Sequence, residues 1–287
     1  MPRLDLHTHS VCSDGVMSPT WVVERAAANG AELVALTDHD TLAGVGEAIE
    51  AGRACQTRVI AGVELGVDAN EFGELHVLGY FPAVADSSDA GIPEVARQLS
   101  SYRDGRDSRA RLMIERLAEL GYPIDATLVK TFSDDESIGR PHVARALVAA
   151  GHVASVQEAF DRFLHDGGPA YVARNLLSLK SSVQLIHGAG GFASLAHPSR
   201  CAEPAAAISA FAAVGGDAVE VYYRNDDRET IARGEQQARR HGLLMTGGSD
   251  WHGLHEGECE PATVPVPDEV VDRLLAAFAA LEAEAVG

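Results

Sequence analysis

Leu4-Asp5-Leu6-His7-Thr8-His9-Ser10, with Ser13-Asp14-Gly15 just beyond it, is a short apolar run that ends in two histidines one residue apart. In an extended strand residues i and i+2 share a face, so His7 and His9 can reach one point from a single rigid element. Protonated imidazoles at one point repel each other, whereas neutral ones are the commonest protein ligands of divalent metals. The spacing therefore predicts a metal site at a strand end. The alternative is a His-rich stretch with incidental spacing.

The same unit recurs along the chain: a short apolar strand, a polar residue at its end, then an Ala-rich amphipathic stretch. Ser18-Pro19 reads as a helix N-cap with proline in the first turn, and Gly30 suits the other end. Leu33-Val34-Ala35-Leu36-Thr37 has the pattern of a buried strand and stops at Asp38-His39-Asp40. Val59 to Val63 ends at Glu64, and a turn around residues 70–73 leads to a strand over residues 75–80 that holds His76. From about residue 92 to 171 helical patterns dominate, with one long helix from Pro93 to Leu120 interrupted near Gly105. The β/α rhythm then resumes. A strand at 192–196 ends at His197-Pro198, another spans 217–222, and Leu243-Leu244-Met245-Thr246 leads into Gly248-Ser249-Asp250-Trp251-His252. A helix over 268–285 follows the last of these.

Seven strands are thus expected, with ligand-type residues in or at the ends of six. In a (β/α) barrel the strands are parallel, so their C-terminal ends emerge on one face. His7, His9, Asp14, His39, Glu64, His197, Asp250 and His252 all fall at such ends, and His76 lies inside its strand. Chance scattering would place many of them in helices. His142, His152, His165, His187, His241 and His255 do lie in helices or loops and read as surface or capping residues. Asp38 or Asp40 could orient an imidazole or cap the next helix. Glu220, mid-strand, is costly to bury unless paired and could support a ligand.

Forty-two acidic against 23 basic residues give a formal charge of -19, which disfavours duplex DNA as a partner because such binding rests on neutralised phosphates. A small phosphorylated substrate stays compatible with that balance. No stretch approaches the ~18 apolar residues needed to span a bilayer, and the polar residues His7 to Ser10 leave no room for a leader's apolar region. Cys12, Cys55, Cys201 and Cys259 are scattered, as expected for a reducing cytoplasm rather than a disulfide framework.

Taken together, HTHS-x3-SDG, TDHD, GVE, LHVLGY, AHP-x-R and GSDWHG, in that order, resemble the PHP (polymerase and histidinol phosphatase) family of metal-dependent phosphoesterases over essentially the whole chain. The helical insertion and the GSDWHG motif look like the stand-alone branch that acts on nucleoside 3',5'-bisphosphates and on short 5'-phosphorylated RNA. The resemblance implies an α/β fold, a distorted (β/α)7 TIM-like barrel formed by residues 1–91 and 172–287, with residues 92–171 as a helical substrate cap. It also implies three divalent ions, Mn2+ foremost, with Fe2+ or Zn2+ as alternatives. His7, His9, Glu64 and Asp250 would hold one; Glu64 would bridge to a second held by His76 and His197; Asp14, His39 and His252 would hold the third. Nitrogen and oxygen donors without thiolate suit such ions.

The expected reaction is hydrolysis of a phosphate monoester by metal-activated hydroxide at Asp14, His39 and His252, with no side-chain nucleophile. Its most concrete form is release of the 3'-phosphate of nucleoside 3',5'-bisphosphates. Arg103, Arg106 and Arg109 recur every three residues along one helix face, and with Arg140 and Arg200 they are the candidates for gripping a second phosphate. Solvated charges pairing with Asp104 and Asp107 are the competing reading for the helix arginines. Two other functions remain open: a histidinol-phosphate phosphatase, which would want a carboxylate near the substrate's ammonium, and a non-catalytic metal-bound scaffold.

Overall fold

The computed structural model describes residues 4–69, 72, 74–82, 84, 92–132, 138–172, 176–255 and 257–286. The chain divides into two compact units, Met1–Arg97 with Leu176–Gly287, and Gln98–Asn175.

In the first unit the sheet follows the order β1 (Leu4–Asp5), β2 (Leu33–Leu36), β3 (Arg58–Asp68), β4 (Glu74–Phe81), β6 (Phe192–Leu195), β7 (Ala218–Tyr223) and β8 (Leu244–Gly248), and the two-residue β5 (Leu177–Ser178) pairs with β3. It is a nearly closed, barrel-shaped α/β sheet. Helices α1 (Pro19–Ala28), α2 (Val45–Cys55), α7 (Leu179–Gly188), α8 (Pro204–Ala213), α9 (Arg228–His241) and α10 (Asp268–Val286) belong to the same unit. The strands are apolar enough to be buried on both faces: every residue of β2, β6 and β7 is buried. Ser18 caps α1 by accepting from the Trp21 amide, with Pro19 in the first turn, and Gly30 takes φ +90° just past the end, as the sequence predicts.

Closure comes from the strand that opens the chain. The Leu6 amide donates to the Gly247 carbonyl (3.1 Å), Asp250 N to His7 O (2.7 Å) and His9 N to Trp251 O (3.0 Å). This approach requires glycine at 248: a Cβ there would lie 2.4 Å from the His7 Cβ. Asp5, buried beneath it, accepts from the amides of His7 (3.1 Å), Ser249 (3.0 Å) and Ala262 (2.7 Å), tying β1 to the segment that carries Asp250.

Two expectations about strands need correction. The barrel is not all parallel, because β4 runs antiparallel to both β3 and β6. Residues 69–73 are too few for the crossover that a parallel partner needs. Glu64 also does not end its strand. β3 continues to Asp68 because its second half gains β4 as a partner, with Glu64 opposite Leu78 and Gly66 opposite His76. The expected turn at residues 70–73 lies, apart from Phe72, outside the described residues.

In the second unit α3, which begins in the first (Ile92–Glu119), is followed by α4 (Ala126–Lys130), α5 (Arg140–Ala149), α6 (Val156–Ala159) and a π-helical turn, Phe160–Leu164. Helix α3 is continuous through Gly105, contrary to the expected interruption. A helical glycine costs only about 1 kcal/mol relative to alanine, which the remaining turns of a long helix absorb. The unit has a core of its own, with Met113 and Leu117 of α3, Val143 and Leu147 of α5, and Phe163 among its buried residues. Among the described residues, no helix is long and apolar enough to cross a membrane.

Candidate metal centre

The reversed direction of β4 brings His76 to the others. His76 lies near the start of its strand, and in an antiparallel strand the start reaches the rim where the parallel neighbours end. On that rim Glu64 is the hub. Its Oε2 lies 3.1 Å from His7 Nε2, 3.1 Å from His9 Nε2 and 3.2 Å from His39 Nδ1. Its Oε1 lies 2.7 Å from His76 Nδ1 and 3.1 Å from His197 Nε2. Asp250 Oδ1 is 3.3 Å from His7 Nε2 and 3.2 Å from His9 Nε2. Asp14 Oδ1 is 3.2 Å from His252 Nε2, and its Oδ2 is 3.7 Å from His39 Nε2.

Three sets of donor atoms, each within 4.8 Å of one another, are therefore able to hold an ion: His7, His9, Glu64 and Asp250; His9, Asp14, His39 and His252; and His39, Glu64 and His76. These sets resemble the expected grouping, except that His9 also reaches the Asp14 set and His39 also reaches the Glu64 set. His197 joins through Glu64, and its ring lies 5.6 Å from that of His7 and 5.2 Å from that of His76. All nine ligand-type residues named from the sequence thus meet at one place.

Whether these residues suit a cation is answered by their unsatisfied atoms. His7 Nε2, both ring nitrogens of His9 and Glu64 Oε2 are fully buried and, despite their short contacts, make no geometrically acceptable hydrogen bond among the described residues. Buried polar atoms are almost always paired. A set of lone-pair donors converging without hydrogen-bond geometry is what a divalent ion would satisfy, and the nitrogen and oxygen donors suit Mn2+, Fe2+ or Zn2+.

Neighbouring groups set the orientation of these side chains. Glu220 contacts His7 Nδ1 through both oxygens (3.1 and 3.2 Å), turning Nε2 toward the cluster, and its Oε2 also accepts from the His197 amide at 2.7 Å. His252 Nδ1 lies 3.0 Å from the Asp250 carbonyl, which leaves Nε2 toward Asp14. Among the described residues Asp38 makes no hydrogen bond to an imidazole, and the N-cap of α2 is Gly44. Asp38 accepts from Ser10 N (2.7 Å), Ser10 Oγ (2.7 Å) and Ser13 Oγ (2.6 Å), pinning the loop that carries Asp14. Four non-glycine residues around the site take positive φ: Asp40, His197, Arg224 and Asp250. Such strain persists where the surroundings over-determine the backbone.

The electrostatics are those of a site waiting for positive charge. Burial opposes ionisation of Asp14, Glu64 and Asp250, yet the imidazoles around them (His39 for Asp14 and Glu64, His7 for Asp250) hold all three well below the usual carboxylate range. Burial likewise opposes protonation of His9, but Asp250 and Glu64 push it up to about 10. Glu220, Glu64 and Asp250 raise His7 against burial in the same way. For His39 burial wins over Glu64 and Asp14 and pushes it down to about 3.

At neutral pH the metal-free site therefore keeps protons on His7 and His9 that a metal must displace. A raised pKa means that this competition is strongest at low pH and fades as pH climbs toward about 10. Calorimetric Mn2+ titrations at pH 7 in buffers of different ionisation enthalpy are expected to show release of about one to two protons per chain. Affinity should rise steadily from pH 6 to 9, and a pH-independent affinity would contradict the proton inventory.

Beside the cluster lies a cavity of ≈ 250 Å³, lined by His39, Glu64, His76, His197, Asp250 and His252 and by Arg200, Tyr223 and Arg224. Trp251 does not obstruct it. The ring is buried and stacks on Trp21 of α1 at 4.8 Å. Of the histidines named as ordinary, four have structural partners: His142 Nδ1 accepts from the Gly139 amide at the start of α5, His152 contacts the Pro123 carbonyl, His165 the Phe160 carbonyl, and His187 pairs with Asp217.

Of the arginines named from the sequence, Arg200 alone among the described residues lines this cavity. In the second unit, Arg109 is buried and its Nε donates to the Val172 carbonyl (2.5 Å), while Arg140 pairs with Asp166 (2.6 Å) and reaches the Leu164 carbonyl (3.3 Å). The side chains of Arg103 and Arg106 lie outside the described residues. Sequence reading missed Asp5, Tyr223 and Arg224. Asp5 stood out as an acid within an apolar run. Arg224 follows β7, the strand whose end carries no ligand-type residue, so the strand-end rule, widened to cations, would have found it.

A PHP domain model matches residues 5–165. The chain is 36% identical over 263 residues to the 3',5'-nucleoside bisphosphate phosphatase of Chromobacterium violaceum, covering 90% of each. It is 35% identical over 257 residues to a 5'-3' exoribonuclease of Haemophilus influenzae, covering 87% of this chain and 90% of that one. Among solved structures, an amidohydrolase from Chromobacterium violaceum with bound sulfate and no metal has a TM-score of 0.81 and 34% identity, over 96% of both chains.

Proposed function

The chain belongs to the PHP domain family and is a metal-dependent hydrolase of phosphate esters, and from that premise we propose that it releases the 3'-phosphate of nucleoside 3',5'-bisphosphates to leave 5'-mononucleotides. Trimming of short 5'-phosphorylated RNA by the same site is part of this reading, because one relative carries the name of a 5'-3' exoribonuclease. The observation that carries it is the convergence of nine imidazole and carboxylate groups on one rim with their central donor atoms unsatisfied.

Up to three divalent ions, Mn2+ foremost, would be held by His7, His9, Glu64 and Asp250, by Glu64 with His76 and His197, and by Asp14, His39 and His252. When bound, they would polarise phosphoryl oxygens and lower the pKa of a water to near neutrality. The protein's part is to fix the donors. Glu64 joins the sets, Glu220 and the Asp250 carbonyl aim His7 and His252, and Asp38 holds the Asp14 loop in place. No side-chain nucleophile is required, and the hydroxyls of Ser10 and Ser13 are committed to Asp38. The similar solved structure from Chromobacterium violaceum carries bound sulfate and no metal, which supports an affinity for oxyanions. For the second phosphate the proposed contact in the barrel is Arg200; in the helical unit Arg109 and Arg140 already hold the Val172 carbonyl and Asp166. Together with the scattered cysteines, these features support a cytoplasmic enzyme acting on small nucleotides or single-stranded RNA.

Phosphate release from adenosine 3',5'-bisphosphate, histidinol phosphate and a 5'-phosphorylated RNA oligomer, assayed side by side with Mn2+, tests the proposal. Turnover fastest on the bisphosphate is expected. Preference for histidinol phosphate would replace the substrate assignment, and silence on all three would favour a scaffold.

A further inference from the structure

Every acidic or imidazole side chain that lines the cavity belongs to the cluster, and the only permanent cations on its lining, among the described residues, are Arg200 and Arg224. We propose that Arg224, with Arg200, forms an anion subsite on the barrel rim that holds the second phosphate of a bisphosphate while the first lies against the cluster; this rests on the bisphosphate reading above.

Arg224 is set in advance for such a role. It follows the last residue of β7 with φ +39°, and its Nη2 donates to the Asp250 carbonyl (2.5 Å) and to Asp250 Oδ2 (2.6 Å). The Tyr223 ring lies 5.4 Å from the guanidinium carbon, and the Tyr223 hydroxyl donates to the same Oδ2 at 2.7 Å. A side chain already held this way loses little rotamer freedom when it grips an anion. Both bonds to Asp250 come from Nη2, and Nε is buried without a hydrogen-bond partner among the described residues. A guanidinium that keeps donors in reserve can take a phosphate by paired N–H···O bonds.

The charge balance points the same way. Asp250 offsets Arg224 through Oδ2, but its Oδ1 is turned to His7 and His9. A cation held at that side shares the carboxylate's charge and leaves the guanidinium net positive toward the cavity. Arg200 stands at the end of the short 3-10 turn Pro198–Arg200, directly after His197, and its exposed side chain adds a second cation on the same lining. Arg109 and Arg140, by contrast, spend their described hydrogen bonds within their own unit.

The test compares kcat/KM for adenosine 3',5'-bisphosphate and adenosine 3'-monophosphate, which differ by the one phosphate in question. In the wild-type protein the bisphosphate should be preferred. Arg200→Ala and Arg224→Gln should each lower its kcat/KM about tenfold or more beyond any loss on the monophosphate. Because Arg224 also touches Asp250, a second measurement avoids metal loading altogether. Calorimetric binding of the bisphosphate to chelator-stripped protein should weaken to a similar degree in both variants, with Arg200→Ala leaving every cluster contact described above in place. Equal loss on both substrates together with unchanged binding to stripped protein would overturn the subsite. So would a preference erased by Arg140→Ala but kept in the two barrel variants. A wild-type protein that hydrolyses neither substrate yet binds the bisphosphate through Arg200 and Arg224 would remove the proposed reaction and keep the subsite.

Discussion

Replacing Glu64 by glutamine is expected to lower phosphate release by about 10³-fold at saturating Mn2+, equivalent to roughly 4 kcal/mol of lost transition-state stabilisation. The swap keeps shape and volume and removes one charge. That charge is the one shared by five imidazoles: Oε2 faces His7, His9 and His39, and Oε1 faces His76 and His197. A glutamine amide would present an N–H to some of these nitrogens, and that edge has no lone pair for a cation. Metal content after dialysis, measured by atomic emission, should fall with activity. The fold should survive, since β3 is held by β2 and β4 on its two sides. A variant with full metal content and wild-type turnover would show that Glu64 is only a buried partner for histidines.

The second large effect concerns the outer set. Asp14→Ala and His252→Ala should each reduce turnover by about 10²-fold or more while shifting Tm by only about 3 °C or less. The asymmetry follows from position. Asp14 sits on a loop with 30% of its side chain exposed, and Asp38 anchors that loop through Ser10 and Ser13 rather than through Asp14 itself. His7, His9, Glu64 and Asp250 remain intact in both variants, so metal content should drop by about one equivalent rather than vanish. Full activity in the double variant would refute chemistry at this set. A collapse of Tm in either variant would mean that the loop, not the metal, depends on these side chains.

Much of the site was legible because its residues break a local pattern. A histidine or carboxylate at the end of an apolar strand is conspicuous where alanine and valine prevail, and His7, His9, His39, His197, Asp250 and His252 carry that signature. His76 and Glu64 were picked out by residue type; His76 lies inside its strand as expected, whereas Glu64 does not end its own. His76 reaches the rim only because β4 runs backwards, and Glu64 sits inside β3 because the strand continues along a new partner. The short connection between these strands was itself a sign of a hairpin, since a parallel pairing demands a dozen or more residues. Gly105 misled in the opposite direction: a single glycine weakens a helix locally, and the rest of a long helix carries it.

The order of strands and helices, the ligand-type residues and their strand-end positions were determined by the chain's local alternation of apolar and polar residues. Such alternation reports which side chains seek the interior. What only the tertiary structure decided is pairing and direction: β4 reversed between β3 and β6, β1 closed against β8 with Gly248 between them, and Arg224 held against Asp250 across 26 residues of sequence. These are contacts between segments distant in the chain. Their geometry depends on hydrogen bonds and packing that no single stretch contains.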